Sequence, residues 1–142
     1  MADIRHEIKI DAPSEQVFAA LSTAKGFRGW WTRDVQFEPR LGRVAVFGFY
    51  RRSVIFRMKI VELAPPKRMT WSCLSGPPEW PGTRIGFRLA PAEDGGTVLQ
   101  FAHRGWRSAR DDLPRANTVW GHLMFDLRDY VESGKAAPFF TT

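Results

Sequence analysis

The chain has one cysteine, Cys73, which excludes an internal disulfide and every zinc pattern built on paired thiolates. Cys73 itself reads as a small buried apolar side chain. No apolar run approaches the length of a bilayer-spanning helix, so no membrane span is expected. The opening MADIRHEIKI alternates in polarity and lacks the basic start, apolar stretch and small-residue cleavage site of a secretion signal; a cytoplasmic location is expected. No serine sits in a G-x-S-x-G setting. Phosphate-cradling loops are missing too, because GFRGWW is no dinucleotide fingerprint and GPPEWPG has prolines where a cradle needs backbone N–H groups. The histidines His6, His103 and His122 are too scattered for a metal-ligand spacing, so neither a metal nor a cofactor is expected.

What remains is an ordinary globular composition. Hydrophobic residues make up 44% and charged residues 25% of 142, a size at which one core is the economical solution, so a single domain over 1–142 is expected. The net charge of +6 comes from 21 basic and 15 acidic residues. A basic balance can attract nucleic acid, yet the arginines alternate with apolar residues in segments such as RIGFRL, as they do on the solvent face of a sheet. Nucleic acid is therefore not the expected partner.

Period separates the elements. Ile4, Ile8 and Ile10 fall on alternate positions and mark a first strand. Next, DAPSEQVFAALS and FRGWW read as two short helices over 13–22 and 24–31, broken near Gly26, with Pro13 suited to a first helical turn. Six alternating runs follow, VQFE, RVAVFGFY, VIFRMKIVEL, RMTWSCLS, TRIGFRLAPA and TVLQFAHRGW, separated by proline- and glycine-rich turns. From Leu113 to Glu132 the helical period returns through Trp120, Leu123, Leu127 and Val131, with Asp111 or Asp112 as start cap and Gly134 as end cap. The apolar stripe of this longest helix must bury against the sheet.

This order, together with IDAPSEQVFAALS, Trp30-Trp31, IVELAPPKRMTW, GGTVLQFAHRGW and the stretch from Trp120 to Gly134, resembles the START/Bet v 1-like (SRPBCC) superfamily. Within it the chain is most similar to the heat-shock-protein-90 ATPase activator homologue-like family. The resemblance implies an α+β helix-grip fold, in which a curved antiparallel sheet of about seven strands wraps around a long C-terminal helix. It also implies an internal cavity for a small hydrophobic molecule, lipid-like or aromatic and polyketide-like. The superfamily's other roles leave two alternatives open: a cyclase- or aromatase-type enzyme, and a chaperone regulator or other interaction domain, including a homodimer.

The residues suggest which side chains would line such a cavity. Trp30, Trp71, Trp80, Trp106 and Trp120 supply aromatic surface suited to a pocket wall or to plain core packing, and Phe56, Met58, Leu99, Phe101 and Leu123 share the inward parity. His103 shares parity with Thr97, Leu99 and Phe101, so its imidazole should face the interior, as a core histidine, a ligand-orienting group or a proton carrier. Glu62 continues the parity of Phe56, Met58 and Ile60 and could turn inward near a strand end; His103 with Glu62 is the one pair suited to acid–base chemistry. GPPEWPG reads as a hairpin loop or as a lid tipped by Trp80 with Glu79 beside it. Phe125, opposite the buried stripe, and Phe139-Phe140 in the tail are candidates for an exposed contact.

Overall fold

The alternating segments become strands in the computed structural model, which describes residues 1–142. In chain order the elements are β1 (Ala2–Ile10), α1 (Ser14–Leu21), α2 (Ala24–Trp30), β2 (Asp34–Gln36), β3 (Val44–Phe49), β4 (Val54–Ala64), β5 (Arg68–Ser75), β6 (Arg84–Pro91), β7 (Thr97–Trp106) and α3 (Leu113–Ser133). The strands form one seven-stranded antiparallel sheet ordered β1-β7-β6-β5-β4-β3-β2, with α3 laid across its inner face. This is the expected α+β helix-grip arrangement.

Side-chain alternation explains the layering. On β7, Thr97, Leu99, Phe101 and His103 are buried while Gln100 and Arg104 are exposed, and on β6 Ile85, Phe87 and Leu89 alternate with exposed Arg84 and Arg88. On α3 the stripe Trp120, Leu123, Leu127 and Val131 meets this inner face and is joined by Met124. Burying each such side chain contributes about 1.5–3 kcal/mol.

Local chemistry sets the ends of the helices. Pro13 precedes the first turn of α1 as its N-cap residue, and Thr23 caps α2 by accepting the Gly26 N–H at 2.9 Å. Gly134 ends α3 with a left-handed φ of 74°, the conformation glycine adopts at least cost. The expected acidic cap of α3 takes another form: Asp112 is the N-cap residue, but its carboxylate bonds to Trp80 instead of to the helix N-terminus. Where α2 meets α3, Gly29 lies directly against the Tyr130 ring, so any side chain at that position would have to displace that ring.

One irregularity reorients a candidate. The β4–β5 register shifts between Ile60 and Glu62, so that Ile60 faces Trp71 while Glu62 faces Thr70. A bulge absorbs one residue and inverts the alternation beyond it. Glu62, expected inside, therefore stands on the outer face.

Candidate functional site

Between sheet and helix, aromatic side chains occupy most of the volume that a helix-grip fold can leave open. Trp30, Trp31, Trp71, Trp106, Trp120, Phe27, Phe47, Phe87 and Phe101 are all fully buried. Trp31 sits at the centre, its ring centroid 4.6 Å from that of Phe47, 5.2 Å from Trp120 and 6.4 Å from Trp71. Such pairs add about 0.5–1.5 kcal/mol each beyond their buried area.

The space left over is a cleft of about 230 Å³ at the end of the core nearest the start of α3. Its walls are Trp31, Phe49, Phe56, Trp80, Trp120 and Phe140, with Val119 and Leu123 from α3 and with Asp112 and Arg115 among its polar groups. Of the expected lining residues, the structure brings Phe56, Trp80, Trp120 and Leu123 to this cleft. Trp30, Met58, Trp71, Leu99, Phe101, His103 and Trp106 lie deeper, packed in the core. Parity identified the inner face correctly; the aromatic volume then filled it.

Trp80 forms a wall of the cleft, and its loop is tied to α3 by hydrogen bonds. Its indole N–H donates to Asp112 Oδ2 at 2.9 Å, the Asp112 backbone N–H donates to Glu79 Oε1 at 2.7 Å, and its ring lies 4.4 Å from Phe56. These bonds tie the β5–β6 loop to the first turn of α3. At the opposite rim, the turn after β3 carries three consecutive residues at positive φ, Tyr50 (51°), Arg51 (57°) and Arg52 (66°). Arg52 holds that turn through Nε and Nη2 donation to the two Asp34 oxygens at 2.8 and 2.9 Å. Gly48 permits it, since a side chain there would collide with the Asp34 carboxylate.

The C-terminal tail forms part of the same rim, a role nothing in its sequence announces. Backbone N–H groups of Ala137, Phe139 and Phe140 donate to the carbonyls of Gly29, Trp30 and Trp31 at 2.9, 3.3 and 2.8 Å. This ladder sets the Phe140 ring edge-on against Phe49 and Tyr50, with centroids 4.9 and 5.6 Å away.

His103 faces inward as its parity predicts, but it presents no free nitrogen to the cleft. Its Nδ1 accepts from the Trp120 indole at 3.1 Å, and its Nε2 meets Thr83 Oγ1 at 2.8 Å. Burial pushes its pKa down from 6.5 to about 3. Glu62, on the other side of the sheet, accepts from Thr70 Oγ1 at 2.8 Å and stands 3.6 Å from Arg68. The acid–base pair expected of these two residues is thus not assembled, since a bulge separates them by the thickness of the sheet. His6 leans toward Phe101 with Nε2 buried and unpartnered, and Phe125 is exposed on the far side of α3. No helix is long and apolar enough to cross a membrane.

Comparison with known proteins agrees with this geometry. A family model described as "Activator of Hsp90 ATPase homolog 1-like protein" matches residues 11–132. The solution structure of the Aha1 dimer from Colwellia psychrerythraea is 32% identical, with a TM-score of 0.86 over 95% of this chain and 99% of that one. CalU16 from Micromonospora echinospora is 22% identical, with a TM-score of 0.75 over 96% of this chain and 77% of that one. DynU16, from the dynemicin biosynthetic locus, is 18% identical, with a TM-score of 0.83 over 99% of this chain and 51% of that one. The last two likenesses speak to the fold alone. No curated protein matches the chain.

Proposed function

The chain belongs to the activator of Hsp90 ATPase homolog 1-like family, and from that premise we propose that it binds a compact apolar small molecule in the cleft between Trp80, Phe56 and α3. The observation carrying this reading is the lining: aromatic and aliphatic walls with a carboxylate and a guanidinium from Asp112 and Arg115, the usual composition of an orienting ligand pocket. A volume of about 230 Å³ is smaller than the ~300–1,000 Å³ of drug-sized pockets, which favours a bicyclic aromatic or short aliphatic group over a long lipid chain. Binding without catalysis is the better reading, because neither His103 nor Glu62 reaches the cleft and the Asp112 carboxylate there already accepts from the Trp80 indole.

The test is an amide NMR titration with 2-naphthol, comparing the wild type with Val119→Trp, which fills the cleft from its half-buried edge. Saturable shifts confined to Phe56, Trp80, Val119 and Phe140, and abolished in the variant, are expected. Shifts scattered over the surface, or unchanged by the variant, would overturn the reading.

A second reading concerns assembly. Phe125 is 54% exposed with Arg128 over its ring at 4.9 Å, and Phe139 is 39% exposed. The related Aha1 from Colwellia psychrerythraea is described as a dimer, and an exposed phenylalanine on a polar helix face is suited to a second copy. Sedimentation of the wild type and Phe125→Ser tests it: a dimer that the substitution dissociates is expected, and a monomer throughout the concentration range sinks it.

A further inference from the structure

The outer face of the sheet holds a second concavity, of about 430 Å³, on the side away from α3. Strand register lines up Arg5, Ala102, Gly86, Thr70 and Glu62 in one row across five strands. The small residues Ala102, Gly86 and Thr70 make a low floor at the middle of that row. On one bank, register places Arg104, Arg84, Ser72 and Lys59; on the other, Gln100, Arg88 and Arg68. Of these, Arg104, Gln100 and Arg88 line the concavity itself and the others continue its banks along the sheet.

Two features distinguish these banks from an ordinary solvated sheet face. Arg84 stands directly opposite Arg104, and Arg68 directly opposite Arg88, and like charges in cross-strand pairs destabilise a sheet. In addition, Arg84, Arg88, Arg104 and Lys59 take part in none of the chain's ion pairs. The nearby carboxylates are already engaged, with Glu7 accepting from Gln100 at 3.0 Å and Glu62 accepting from Thr70 at 2.8 Å and pairing with Arg68 at 3.6 Å, which leaves Arg84 opposite Arg104 as the uncompensated pair. An anion lying in the trough would relieve the repulsion that the isolated fold bears.

We propose that this trough docks a short, extended, acidic segment of a partner protein, whose carboxylates lie on Arg84, Arg88 and Arg104. Guanidinium forks match carboxylates in geometry as well as in charge. From β1 to β4 the row spans four strand spacings, or about 19 Å, the length of some five or six extended residues. Glu7 near one end and Glu62 at the other interrupt the cationic stripe, which opposes a continuous phosphate backbone but not a peptide whose acidic residues alternate with neutral ones. The site is separate from the cleft and does not depend on what the cleft binds.

The probe is an eight-residue peptide alternating glutamate and serine, titrated by calorimetry at low salt. Three variants decide the outcome. Arg84→Glu/Arg88→Glu reverses the banks. Gly86→Val raises the floor, where an added Cβ meets only Thr70 Oγ1 at an ordinary 3.7 Å and a β-branched residue suits the strand, so folding is preserved. Lys25→Glu/Arg33→Glu makes the same change of net charge beside α2. Saturable binding is expected to weaken roughly tenfold or more in the first variant, several-fold in the second, and less than about twofold in the third. Equal losses in the first and third variants, no binding by the wild type, or tighter binding of a single-stranded oligonucleotide of equal charge would each overturn the proposal.

Discussion

The Trp120 indole N–H donates to Nδ1 of His103 across 3.1 Å, and this bond fixes the protonation state of a histidine that has no exposed surface. An indole can only donate, so Nδ1 carries no proton. The proton is then on Nε2, which donates to Thr83 Oγ1 at 2.8 Å, and the Thr83 hydroxyl donates to the Trp80 carbonyl at 2.6 Å. A second ring proton would set donor against donor at Trp120.

The pH consequence has a definite sign. His103 is lowered from 6.5 to about 3 on folding, so between those values the unfolded chain binds a proton that the native chain refuses. Its contribution is complete above pH 6.5 and is lost as pH falls toward 3, up to an amount on the order of 5 kcal/mol. Urea midpoints measured from pH 7 to 4 should fall accordingly, and the His103 ring signals should not titrate by NMR above pH 5. A His103 resonance titrating near pH 6.5 would contradict the hydrogen-bond chain.

Cys73 is buried at 2% exposure, and burial raises its thiol from 9.0 to about 11. At pH 8 almost no thiolate exists, and the reagent has no path to it. Dithionitrobenzoate should leave the native protein unlabelled and modify one thiol per chain on addition of denaturant. Rapid native labelling would show that the β5 end opens locally.

Phe140 is half-buried and forms one rim of the cleft, so Phe140→Ala should widen the mouth at a cost of about 1 kcal/mol in stability. The expected result is a shift in preference, with 2-anthrol gaining on 2-naphthol in affinity. An unchanged ratio would mean that the tail does not limit what enters.

Arg51 is held at a φ of 57° in the middle of the turn after β3. A left-handed residue with a Cβ costs about 1–2 kcal/mol, part of which glycine returns through its greater chain entropy when unfolded. Arg51→Gly should therefore raise stability by up to about 1 kcal/mol in chemical denaturation. A loss of more than that would mean the Arg51 side chain holds the turn.

How far the sequence went depended on what interrupted its periods. Alternation in TVLQFAHRGW placed Leu99, Phe101 and His103 on the inner face because β7 keeps its alternation from Thr97 to His103. The same logic misdirected Glu62, since a bulge adds one residue to the pairing and leaves no trace in the hydrophobic pattern. Parity also has no measure of depth. It set Trp71 and Phe101 on the same footing as Phe56, and only packing showed that the first two plug the interior while the third borders open space. Asp34 and Arg115 escaped notice, and Phe140, expected as an exposed contact, instead packs against Phe49 and Tyr50, because these roles rest on contacts between segments far apart in sequence.

The six tryptophans are linked ring to ring, with Trp30 to Trp31 at 5.8 Å, Trp31 to Trp71 at 6.4 Å, Trp31 to Trp120 at 5.2 Å, Trp120 to Trp80 at 6.3 Å and Trp80 to Trp106 at 5.7 Å. At such separations excitation passes between indoles far faster than any of them emits. Light absorbed anywhere in the core can therefore be drained at Trp31, Trp80 or Trp120, the three that border the cleft. A quenching molecule lodged in the cleft is therefore expected to dim the emission of the buried tryptophans together with that of the three it can touch.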